Sequence, residues 1–145
     1  MIYNNVILEI SKNNLISNFN YFNNLKKNNI CAATIKSNAY GIGSSNIYNL
    51  LLKIGCKHFF VATTLEGINL RKIYEKGTIY ILNGLENNNL MIFKKYNLIP
   101  IISNIEDYLK IKKKYINFGL QINTGINRLG INYNDYKIIS YDNKY

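Results

Sequence analysis

The residues best suited to chemistry fall in one stretch, Ala33-Thr34-Ile35-Lys36-Ser37-Asn38-Ala39-Tyr40-Gly41-Ile42-Gly43. Cys31 to Ile35 is a short apolar run of the kind that forms a buried parallel strand, and it ends on a lysine. Desolvation at such a strand end disfavours an ammonium and favours the free amine, the form a Schiff-base nucleophile needs. Tyr40 follows four residues later in a turn, where a phenol could donate a hydrogen bond into the same pocket. Gly41 and Gly43 permit backbone conformations closed to other residues and let a ligand approach. The plainer alternative is a strand-end lysine that snorkels into water beside a packing tyrosine, one of thirteen in the chain.

A second stretch, Asn123-Thr124-Gly125-Ile126-Asn127-Arg128-Leu129-Gly130, carries one of only two arginines. Where lysine otherwise supplies the positive charge, an arginine argues for a planar contact with several donors. Gly125 and Gly130 read first as turn formers and second as ligand contacts. The other arginine, Arg71, lies beside Lys72 on a helical pattern and reads as a solvated or helix-packing residue. Leu82, at the end of an apolar run, reads as core.

These stretches need a scaffold, and the chain repeats one. Apolar runs at Cys31–Ile35, His58–Ala62, Thr78–Leu82, Leu98–Ile102 and Asn117–Ile122 are separated by single helical patterns. Strand and helix alternating in this way predict βαβ units and a parallel sheet, so the fold class is α/β. Leu15, Phe19 and Phe22 form one helical stripe after Ser11, and Val6 to Ile10 could be a strand before it. Ser44 or Ser45 can cap a helix whose Ile47, Leu50, Leu51 and Ile54 share a face. Thr63 and Glu66 have capping-box spacing, and Asn104 can cap a helix with Glu106 and Asp107 in its first turn. Asn134 to Tyr145 begins like the helix of a sixth unit. In parallel α/β folds the carboxyl ends of strands share one face, which puts Lys36 and Arg128 at the same mouth.

The wording around Lys36 resembles the pyridoxal-phosphate (PLP) lysine motif of the alanine racemase family. Asn123 to Gly130 resembles that family's other signature, and the two lie in the right order roughly 90 residues apart. The resemblance implies an α/β fold that is a partial (β/α)8 TIM-type barrel of about five units. Residues 1–145 would then form an incomplete N-terminal PLP-binding barrel domain without the family's C-terminal β domain. It gives Lys36 the Schiff base and the proton transfer on one face of Cα. It gives Tyr40 a hydrogen bond to the cofactor phosphate, and Arg128 a contact with the phenolic oxygen of the ring. Three positions depart from the pattern. Ile42 replaces a turn histidine, Asn123 replaces an Asp, and Gln121 stands where some members carry a carbamylated lysine that orients the arginine. The family's opposite-face base, a tyrosine from the second domain of the partner subunit, matches no position here. The implied function is alanine racemisation supplying D-alanine for peptidoglycan, in the cytoplasm. The substrate would be a small amino acid, and the partner a second copy (a homodimer) or a complementing C-terminal polypeptide. The alternative is a non-catalytic PLP-binding barrel or an inactive remnant.

Composition narrows the field further. The formal charge of +10 invites nucleic acid, but the lysines are scattered, and overused Asn, Ile, Lys and Tyr are what an AT-rich coding sequence produces. No nucleic-acid motif accompanies them. Cys31 and Cys56 lack metal or redox spacing, and one histidine cannot build a metal cluster, so reduced, mostly buried thiols are expected. No apolar run approaches the ~20 residues of a membrane span, and the polar N-terminus does not read as a signal peptide.

Overall fold

The computed structural model describes residues 7–142 apart from 26, 29, 87, 88 and 115. Five parallel strands form one sheet in sequential order: β1 (Ala33–Thr34), β2 (His58–Val61), β3 (Thr78–Ile81), β4 (Leu98–Ile102) and β5 (Gly119–Leu120). Register runs in step across the sheet, with Thr34 opposite Phe60, Phe60 opposite Tyr80, and Ile102 opposite Leu120. Each apolar run of the sequence therefore supplies a strand, though the first and last are cut to two residues. The helices are α1 (Lys12–Asn24), α3 (Ser44–Lys53), α4 (Thr64–Ile73), α5 (Leu90–Lys95), α6 (Ile105–Ile111) and α7 (Tyr133–Asp142). Between β1 and α3 lies α2 (Lys36–Tyr40), a single turn of the opposite hand.

Period-two alternation puts Phe59, Val61, Ile79, Ile81, Leu98 and Ile102 on one face of the sheet. There they form the core with Tyr48 and Leu51 of α3, Leu70 of α4, Phe93 of α5, and Tyr108 and Ile111 of α6. Gly67 lets α4 lie this close: a Cβ there would come within 2.7 Å of Ile81 Cδ1 and 3.2 Å of Leu98 Cδ2. The opposite face carries Phe60 stacked on Tyr80 at 4.6 Å, and His58 Nδ1 paired with the Tyr80 hydroxyl at 2.9 Å. These side chains, with Ile99 and Ile101, are only half-buried. Among the described residues no strand pairs with the outer edge of β1 or of β5.

Several local expectations need correction. Ile7 to Ile10 form no strand, and Ile7 is 81% exposed, because no neighbouring strand lies alongside; residue 6 falls outside the described residues. Neither Ser44 nor Ser45 caps α3. The Asn38 side chain, six residues back, accepts the Ser44 N–H at 2.8 Å instead. The buried face of α3 centres on Tyr48 and Leu51, with the Tyr48 hydroxyl donating to the Lys76 carbonyl at 2.6 Å. The stretch beginning at Asn134 is helical as expected, in a helix that starts at Tyr133, and residues 143–145 lie outside the described set. Both cysteines are free; Cys56 is buried and burial pushes its thiol pKa up, as suits a structural residue. Among the described residues no helix is long and apolar enough to cross a membrane.

Arg71 is a clamp. Its guanidinium donates to five carbonyl oxygens, those of Tyr74, Glu75, Gly77, Tyr96 and Asn97, and so ties the end of α4 to the turn before β4. A lysine has too few donors, and no planar fork, to replace it. Arg71→Lys should lower unfolding free energy by about 1–3 kcal/mol, the cost of half-buried carbonyls losing their partners. Urea melts of the two proteins measure it.

Candidate functional site

At the carboxyl ends of the strands lies a cleft of about 270 Å³, lined by Lys36, Ala62, Leu82, Asn83, Gln121, Ile122, Asn123, Thr124, Ile126, Arg128 and Leu129. It brings together Lys36, from the end of β1, and Arg128, from the loop after β5. The parallel register does this, since equivalent strand ends share one rim. Lys36 is half-buried rather than enclosed. Among the described residues its lining includes two cationic side chains, several amides and a hydroxyl, and no carboxylate. That donor set suits an anionic ligand.

Tyr40 stands elsewhere. Ser37, Asn38, Ala39 and Tyr40 all have positive φ, between 52° and 56°, and this winding carries the ring out of the cleft. It is 65% exposed and lines an apolar groove with Leu15, Phe19, Phe22 and Ile42. Leu82 also departs from expectation, lining the cleft wall because its position just past β3 faces the rim rather than the core.

The loop bearing Arg128 is pinned at its neck. Asn123 N–H donates to the Ile131 carbonyl at 3.0 Å, and Ile131 N–H to the Gln121 carbonyl at 2.8 Å. Gly130 makes this crossing possible: it has φ +119°, and a Cβ would lie 2.6 Å from Asn123 N. The neighbour is backbone, so no side chain can be turned aside to make room. Inside the loop, Asn123 Oδ1 accepts the N–H groups of Gly125 and Asn127, both at 3.1 Å. Gly125 and Gly130 are therefore turn formers. Asn123 keeps the loop-closing acceptor that an Asp would provide.

Two carboxylates brace the rim from below. Glu66 completes a capping box with Thr63 and also accepts the Ser37 and Ala62 N–H groups, each at 2.8 Å. Glu86 accepts the Thr64 N–H at 2.6 Å and the Asn83 side-chain amide at 2.9 Å, fixing a cleft residue. Sequence reading saw Glu66 only as a cap and missed Asn83 and Glu86. Their signal was position: Asn83 follows the third strand directly, where the rim rule puts functional side chains.

The family model for the N-terminal domain of alanine racemase matches residues 10–141. The chain belongs to this family. Among its relatives, alanine racemase of Rickettsia typhi is 34% identical over 142 residues, 93% of this chain and 35% of that protein. Alanine racemase of Rickettsia bellii is 42% identical over 117 residues, 75% of this chain and 28% of that protein. The chain thus spans about a third of the length of these relatives. The crystal structure of alanine racemase from Bartonella henselae, with covalently bound pyridoxal phosphate, matches at TM-score 0.81 and 26% identity, over 92% of this chain and 41% of that one. Histidine racemase from Leuconostoc mesenteroides shares the fold at TM-score 0.76 and 18% identity, over 90% of this chain and 37% of that one. These likenesses establish an α/β barrel portion.

The Glu86 bracing gives a pH dependence. Burial alone would raise its pKa, but the Thr64 N–H and the Asn83 amide outweigh it and hold the carboxyl below its ordinary 4.5. The unfolded chain therefore binds the proton more readily than the folded one as the medium acidifies. Stability from this site is complete above pH 4.5 and drains away as pH falls through the folded value. Denaturant melts at a series of pH values should show a shallower acid loss in Glu86→Gln than in the parent.

Proposed function

We propose that this chain supplies the cofactor-holding portion of a PLP-dependent amino-acid racemase barrel. The observation that carries the reading is that Lys36 and Arg128 line one cleft with no acidic residue among its described lining. PLP fits that set: it offers an aldehyde to the amine, and a phenolic oxygen and a phosphate to the cationic and amide donors. Lys36 would hold the cofactor and take the Cα proton of the substrate onto Nζ from one face. Arg128 would orient the ring through its oxygen, with Gln121 beside it offering an amide in place of a charge. Tyr40, whose ring stands outside the cleft, would have to turn into it to donate to the phosphate. When bound, PLP supplies the electron sink for the carbanion at Cα.

The substrate proposed is alanine, after the names of the relatives, with D-alanine passing to peptidoglycan synthesis in the cytoplasm. Turnover requires more polypeptide. A (β/α)8 barrel has eight strands, and the five among the described residues leave two open edges and a half-exposed inner face. We propose that further strands of such a barrel cover them, within an assembly that pairs as a dimer and brings the second base. The open sheet also favours a second reading, PLP carriage without racemisation.

Protein incubated with PLP and reduced with borohydride should carry the label on Lys36 by peptide mapping, and Lys36→Ala should lose it. A folded protein labelled elsewhere, or not at all, refutes the assignment. Assaying the same preparation for interconversion of L- and D-alanine separates an enzyme from a carrier.

A further inference from the structure

The Glu66 carboxylate does more than close a helix end. Its bond to the N-cap nitrogen of Thr63 is long, 3.4 Å, whereas its bonds to Ser37 N–H and Ala62 N–H are both 2.8 Å. The better bonds are thus the ones a capping box does not need. They go to the residue directly after Lys36 and to a residue that lines the cleft beside it. The backbone ladder joining β1 to β2 includes Ile35 N–H to the Phe60 carbonyl at 2.9 Å. Beyond that point Glu66 continues the pairing, with Oε1 on the β1 side and Oε2 on the β2 side.

Directly after that tie the chain enters four consecutive residues with positive φ, each costing about 1–2 kcal/mol against the right-handed form. A strained turn stays in place only when its surroundings fix it. At its far end Asn38 accepts the Ser44 N–H; at its near end the fixing group is Glu66. An acceptor-only carboxylate is the side chain that can serve several N–H groups at once. A glutamine in its place has one oxygen and must abandon either Ser37 or Ala62.

We propose that Glu66 is a positioning residue for Lys36. Its carboxylate sets the direction in which the amine enters the cleft, by holding the Ser37 backbone. This deepens the cofactor reading above and rests on it.

The test uses the full chain with two variants. Glu66→Gln breaks the two-sided tie; Thr63→Ala removes the hydroxyl half of the capping box and leaves the carboxylate bonds in place. Two quantities are read: the rate at which PLP becomes trapped on Lys36 under borohydride, and hydrogen exchange at the Ser37 amide without cofactor. Glu66→Gln should slow trapping about tenfold, the effect of losing one hydrogen bond to a charged group, and should deprotect Ser37. Thr63→Ala should change neither by more than about twofold. Should Glu66→Gln fail to fold, Glu66→Asp replaces it. That variant keeps the charge and both oxygens but is shorter by one carbon–carbon bond, about 1.5 Å, so its carboxylate stops short of both nitrogens. Parent-like trapping and Ser37 protection in the Glu66 variants overturn the positioning role alone. So does an equal loss in Thr63→Ala, which would make the effect one of capping. No label on Lys36 in the parent protein overturns the cofactor reading itself, whatever the variants do.

Discussion

Ser37, Asn38, Ala39 and Tyr40 hold backbone angles that L-residues rarely adopt in succession, and the geometry of the cleft depends on their being held. The restraints are specific. Ala39 N–H reaches the Ile35 carbonyl at 2.9 Å, Gly41 N–H the Ser37 carbonyl at 3.0 Å, and Gly43 N–H the Asn38 carbonyl at 2.9 Å. Ala39 is buried, so the turn is also fastened by packing. A right-handed turn could have formed here at less local cost. It would also have altered the path by which the chain leaves β1, and with it the relation of Lys36 to the rim. Strain at this one place therefore buys a direction for a side chain.

The charge balance shows the same economy. Acidic residues number only 8 against 18 lysines and arginines. Glu66, Glu86, Asp107 and Asp135 all serve as acceptors at helix beginnings, and none of the four lies in the cleft. Asparagine takes up the rest of that work. Asn38, Asn104, Asn123 and Asn132 each accept backbone N–H groups at a turn or a helix start. A composition bias that looks like noise has been absorbed as capping chemistry, because the asparagine side chain mimics a backbone acceptor.

Periodicity was the legible part. All five strands fall within the apolar runs, and the caps at Thr63 and Asn104 are where local spacing puts them, since each depends on residues only a few positions apart. Non-local facts were harder to read. Whether Ile7 to Ile10 pair depends on a strand elsewhere, and whether Arg71 is solvated depends on carbonyls that the chain brings to it from 25 residues away. The hand of the turn after Lys36 runs against the intrinsic preference of Ser37, Asn38, Ala39 and Tyr40, so the place of Tyr40 was not readable. Lys36 and Arg128 were readable together because strand direction alone decides that they share a rim.

That same rule limits what this part of a barrel can specify. The fold that the chain shares with its relatives does not by itself select an amino-acid side chain, because selection lives in a site and not in a fold. In the proposed reading the Lys36 amine and the Arg128 guanidinium would act on groups of the cofactor whatever the substrate, and the uncharged walls at Leu82, Ile122 and Leu129 would impose little discrimination from an open side. Selection requires enclosure, because a pocket rejects a wrong side chain only where it surrounds it. In this chain the cleft is walled by β1 to β5 and their loops and is open beyond them. On the proposed reading, substrate choice would fall to whatever closes the sheet, and Lys36 and Arg128 would serve the cofactor.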